Sequence, residues 1–123
     1  MIRGIGVDIL EIKRMEKAIR RHSDKFQHKI FTANEWEEGM LYSNPSFLAG
    51  RFAVKEAVVK VLDGNWEFCR WREIEVLSNG KPYLKIYGKT RELAEMKGIT
   101  SWYVTLSHTK DIIVAVVIAE GNI

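Results

Sequence analysis

The chain has 123 residues, 46% of them hydrophobic, which is enough for one domain with a real core and too few for two. A single cysteine, Cys69, excludes an internal disulfide, and no Cys/His cluster has zinc-site spacing, so a reducing interior is expected. The formal net charge is +3, no run of about 18 apolar residues could span a bilayer, and residues 1–12 lack the apolar stretch of a secretory signal; a soluble cytoplasmic protein is expected.

Residues 2–8 read as a short strand. Ile12, Met15 and Ile19 then recur at helical spacing, and between Glu11 and His22 stand Lys13, Arg14, Lys17, Arg20 and Arg21 against Glu11 and Glu16. A basic face of that kind points to an anionic partner, whether an acidic protein, a nucleic acid or a phosphate-bearing ligand. Thr32-x-x-Glu35 is a capping-box pattern and predicts a short helix to about Leu41, with Trp36 and Met40 on one face. Asn44 before Pro45 predicts the N-cap and first turn of a long helix ending near Leu62, with Gly64 just beyond.

The second half reads as mostly strand. Residues 73–77 and 82–87 flank Asn79-Gly80, the signal of a two-residue hairpin loop, because both positions tolerate positive φ. Residues 88–97 have helical character through Leu93, Ala94 and Met96 and stop at Gly98. Residues 102–106 and 112–119 pair across 107–111. The expected fold is α+β, a mainly antiparallel sheet packed with a long central helix. Because the last strand is apolar at both parities, both of its faces should be covered, and in so small a domain another subunit is a natural cover.

Two acidic residues sit in predominantly apolar segments: Asp8, in Gly4-Ile5-Gly6-Val7-Asp8-Ile9-Leu10-Glu11, and Glu56, in Arg51-Phe52-Ala53-Val54-Lys55-Glu56-Ala57-Val58-Val59-Lys60. An ionised carboxylate is costly to bury unless a cation or hydrogen-bond donors compensate it, and a shared divalent ion would serve both. Phe52, Glu56 and Lys60 fall on one helix stripe, so a cation and a phosphate could share it; the plainer reading is a Glu–Lys helix pair worth roughly 0.2–0.5 kcal/mol. Gly4-x-Gly6 carries no nucleotide signal, since Ile9 breaks the dinucleotide-binding glycine fingerprint.

Four islands in one order, Gly4-Ile5-Gly6-Val7-Asp8-Ile9-Leu10-Glu11-Ile12, Phe47-Leu48-Ala49-Gly50-Arg51-Phe52-Ala53-Val54-Lys55-Glu56-Ala57, Gly80-Lys81-Pro82 and Leu106-Ser107-His108-Thr109, resemble the holo-acyl-carrier-protein synthase family. The resemblance implies one 4′-phosphopantetheinyl transferase domain over residues 1–123. Its reaction moves the 4′-phosphopantetheine group of coenzyme A to a serine of apo-acyl carrier protein, releases adenosine 3′,5′-bisphosphate and supports fatty acid biosynthesis.

The resemblance also implies roles for particular residues. Asp8 and Glu56 would hold magnesium, or manganese, whose preference is for hard oxygen donors. Lys60 would neutralise a pyrophosphate oxygen. Arg51, His108 and Thr109 would hold phosphate groups, above all the 3′-phosphate, and the Gly80-Lys81-Pro82 turn would lie beside adenine. Arg14, Lys17 and Arg21 would meet acidic residues of the carrier protein, and a homotrimer would place active sites at subunit interfaces. The alternative is a basic module that binds nucleic acid or an acidic protein without catalysis; the absence of a nucleic-acid-binding motif and the mixed charge elsewhere count against nucleic acid.

Overall fold

The structure, a computed structural model, describes residues 1–64 and 70–122; Cys69 lies outside them. Strand β1 (Ile2–Glu11) runs three residues further than residues 2–8, because Ile9, Leu10 and Glu11 continue its ladder against Val114, Ile113 and Ile112. Helix α1 (Ile12–Arg21) follows directly, with Ile12 and Met15 buried and Arg20 and Arg21 in the last turn, where the helix dipole favours cations. A short helical turn α2 (Ser23–Lys25) and a π-helical turn (Phe26–Ile30) then bury Phe26 and Ile30; no periodicity in the sequence announced either one.

The capping box forms as read. At the start of α3 (Ala33–Tyr42) the Thr32 hydroxyl accepts from the Glu35 backbone at 3.2 Å while the Glu35 carboxylate accepts from the Thr32 backbone at 2.8 Å. Helix α4 (Pro45–Val61) is likewise capped by Asn44, whose side chain accepts from Ser46 N at 3.0 Å. Its small residues Ala49, Ala53 and Ala57 are fully buried, and the helix packs against β1 and the last strand.

A three-stranded antiparallel sheet has the order β1-β5-β4, from β4 (Ser101–His108) and β5 (Ile112–Glu120). Ile113, Ala115, Val117 and Ala119 of central β5 are buried on the α4 side, as one face of the expected apolar strand. Among the described residues nothing fully covers the opposite face. There Ile5, Val7 and Ile9 of β1 are exposed, and they pair with Ile118, Val116 and Val114.

A second antiparallel pair, β2 (Ile74–Ser78) and β3 (Pro82–Ile86), follows a 3-10 turn (Trp71–Glu73) that occupies the expected strand start at Glu73. Ser78 pairs with Pro82, so the loop holds three residues rather than two. Within 79–81 only Gly80 has positive φ, at 95°, and Asn79 N donates to Lys81 O; a two-residue turn of the Asn-Gly kind needs two such residues. Helix α5 (Gly88–Met96) ends before Gly98 at φ 76°. Among the described residues no helix is long and apolar enough to cross a membrane.

Candidate metal and phosphate site

Alternation along β1 turns Gly4, Gly6 and Asp8 toward α4. The two glycines have a packing reason: a Cβ at Gly6 would collide with the Ala57 carbonyl oxygen, and one at Gly4 with Val61. Their absence of side chains lets α4 lie directly on β1, which brings Asp8 against the Glu56–Lys60 stripe.

Asp8 is only 6% exposed. Lys60 Nζ pairs with Asp8 Oδ1 at 3.1 Å and donates to the Val7 carbonyl at 2.8 Å. Asp8 Oδ2 is buried and has no hydrogen-bond partner. Burial first, and then the neighbouring Asp8 carboxylate, push the Glu56 carboxyl up to about 7 against the opposing pull of Lys60. Lys60 thus pairs with Asp8 and reaches Glu56 only through its charge, and one Asp8 oxygen is left unsatisfied in a sheltered place. Such a donor set suits a hard divalent cation. Among the described residues no group of three or more His, Cys, Asp or Glu is placed to hold a metal, so the pair would need ligand and water oxygens to complete a shell.

Arg51 lies on another stripe of α4. Its guanidinium stacks on the Phe47 ring at 4.4 Å, its Nε is buried without a partner, and burial lowers its pKa despite Glu38 and Glu35 nearby. A cavity lined by Glu38, Tyr42, Asn44, Phe47, Arg51 and Ser78 opens there. His108, the last residue of β4, and Thr109, which begins the β4–β5 turn, are exposed, and the Thr109 hydroxyl accepts from Asp111 N at 3.3 Å and Ile112 N at 3.2 Å. Gly80 and Lys81 are exposed in the β2–β3 loop, with open space beside Gly80, and Pro82 is half-buried. Arg14, Lys17 and Arg21 form an exposed group along α1, and none takes part in the ion pairs found among the described residues, whereas Arg20 is engaged by Glu16 at 2.7 Å. One chain thus brings Asp8, Glu56 and Lys60 together and leaves Arg51, the β4–β5 turn and the β2–β3 loop without a hydrogen bond to that trio.

Sequence reasoning passed over Lys55. It is fully buried and pairs with the equally buried Glu35 at 2.8 Å. The available signal was a lysine inside the apolar run Phe52-Ala53-Val54-Lys55, whose charge had to find a partner indoors.

Fold and sequence together place the chain in the 4′-phosphopantetheinyl transferase superfamily, whose model matches residues 4–117. A holo-[acyl-carrier-protein] synthase of Alkaliphilus metalliredigens is 41% identical over 123 residues, spanning 97% of this chain and 99% of that protein. The crystal structure of a holo-[acyl-carrier-protein] synthase from Neisseria meningitidis superposes with a TM-score of 0.87 at 31% identity, covering 98% of this chain and 99% of that one. One from Bacillus anthracis, in complex with CoA (3′,5′-ADP), gives 0.79 at 33% identity, with 99% of both chains covered. The activity that goes with this membership is the transfer of 4′-phosphopantetheine from coenzyme A to apo-acyl carrier protein, a step serving fatty acid biosynthesis.

Proposed function

We propose that Asp8 and Glu56 hold a divalent cation, magnesium or manganese, at the diphosphate of coenzyme A, and that Lys60 faces the same diphosphate. The observation that carries this reading is the buried, partnerless Asp8 Oδ2 beside a Glu56 carboxyl pushed up to about 7. When bound, the cation supplies neutralisation of diphosphate charge, the main requirement of a phosphoryl-type transfer. Lys60 has two of its three N–H donors engaged, with Val7 O and Asp8, and keeps one for a phosphate oxygen. The serine hydroxyl of the carrier protein attacks the phosphorus that bears pantetheine, and adenosine 3′,5′-bisphosphate leaves; positioning and electrostatics do most of the catalysis.

The rest of the coenzyme would be gripped by Arg51, His108 and Thr109 at phosphate groups and by Gly80, Lys81 and Pro82 beside adenine. Arg51 and Glu56 lie on different stripes of α4, and among the described residues the His108 and Thr109 side chains bond only within their own turn, which supports a site shared between subunits. The uncovered sheet face, with Ile5 60% and Ile9 62% exposed and Tyr103 beside them, supports a homotrimer that buries it. Arg14, Lys17 and Arg21 would receive the acidic carrier protein in the cytoplasm.

The test is incubation with coenzyme A, magnesium and apo-acyl carrier protein, read as carrier mass. The expected result is a carrier heavier by the phosphopantetheine arm with the parent protein and little or none with Asp8→Ala or Glu56→Ala. Full activity in both variants would refute the metal site, and complex formation without added mass would favour a binding module.

A further inference from the structure

We propose that Lys55 is a positioning residue for the transfer: its buried ammonium sets the rotation of α4 and so places Glu56 against Asp8. This rests on the reading of Asp8 and Glu56 as the cation-holding pair.

Lys55 spends all three of its donors inside the protein. Nζ pairs with Glu35 at 2.8 Å, donates to the Trp71 carbonyl at 2.9 Å and donates to the Ile74 carbonyl. Glu35 in turn accepts from Thr32 N at 2.8 Å and from Val76 N at 2.9 Å. One side chain of α4 is therefore tied at once to the first turn of α3, to the 3-10 turn and to β2. On the side that faces β1 the helix sets Val61 against Gly4 and Ala57 against Gly6, and Lys60 near its end ties to Val7 O and Asp8. Lys55 holds the helix from the other side, where its three partners come from three separate elements.

Glu56 is the next residue along the same helix. A carboxylate about 6 Å from the axis moves about 2 Å when the helix turns by about 20°. Misplacement of that order at a reacting site lowers rates by about 10²-fold. A buried ion pair adds little stability compared with an apolar pair of similar volume, so stability alone gives weak reason for its presence.

The measurements are thermal stability, manganese affinity of the protein alone by electron paramagnetic resonance, and kcat and KM with coenzyme A and carrier protein. In Lys55→Met/Glu35→Gln no buried charge is left unpaired. It is expected to stay folded near the parent melting temperature, to bind manganese at least tenfold more weakly and to lose about 10²-fold in kcat, with KM for the carrier protein unchanged. Glu35→Gln alone leaves Lys55 its two carbonyl acceptors and is expected to change manganese affinity less than threefold. Parent-like manganese affinity and kcat in the double variant would overturn the proposal, and so would a loss in Glu35→Gln as large as in the double variant. Asp8→Asn separates the two ideas. If it leaves manganese binding intact, the cation-holding pair is wrong and the positioning role falls with it. If it abolishes binding that the double variant keeps, only the positioning role falls.

Discussion

Replacing Glu56 by Gln should change how stability depends on pH. In the folded protein the Glu56 carboxyl is pushed from its ordinary 4.5 to about 7, first by burial and then by Asp8. Between those two values the folded state binds more protons than the unfolded chain, so stability falls as pH rises. The contribution is full below about 4.5 and gone above about 7. A carboxyl moved that far corresponds to about 3 kcal/mol. Glu56 is only half-buried, and water screening reduces the expected effect to about 1–2 kcal/mol. Urea unfolding at pH 5 and pH 8, without divalent ions and at one protein concentration, measures it. The parent should lose about 1–2 kcal/mol more than Glu56→Gln on going from pH 5 to pH 8. Adding magnesium at about ten times its dissociation constant at pH 8 should restore about 1.4 kcal/mol to the parent and nothing to the variant. Parallel pH profiles for the two proteins would refute the reasoning, because Glu56 would then carry no folded-state penalty.

Gly6→Ala forces a methyl against the Ala57 carbonyl, a backbone atom that cannot swing aside; a loss of about 3 kcal/mol in urea unfolding is expected, with activity falling as α4 is pushed off β1. Ile9→Lys puts a charge on the uncovered sheet face and should turn the proposed trimer into monomers in sedimentation velocity; unchanged sedimentation would remove that face from the proposed interface. Arg14→Glu should raise KM for the carrier protein several-fold at low salt, leave kcat near the parent value and lose its effect at high salt; equal kinetics at low salt would exclude α1 from docking.

Much of the fold could be read from local rules. Thr32 and Glu35 mark the start of α3, and Asn44 with Pro45 that of α4, because capping depends on neighbouring residues alone. The π-helical turn at Phe26–Ile30 could not be read that way. Its shape follows from sinking Phe26, Ile30 and Phe31 together beneath α4, with Phe26 and Phe52 edge to face, which is a tertiary demand. The hairpin loop came out a residue long because pairing of Ser78 with Pro82, set by the register of β2 and β3, outweighs the Asn-Gly signal. In the site, the burial cost of Asp8 and Glu56 pointed to a shared neighbourhood, and the two do lie against each other. Lys55 escaped notice because its partners Glu35, Trp71 and Ile74 lie 16–20 residues away on three different elements. No spacing rule connects them.

The most direct measurement is a crystal structure grown with coenzyme A and manganese, with the metal located by its anomalous scattering. The expected peak lies between the carboxylates of Asp8 and Glu56 and touches the coenzyme's diphosphate, with Lys60 on a neighbouring phosphate oxygen. A peak bound elsewhere, with these two side chains free of metal and ligand, would contradict the proposed site.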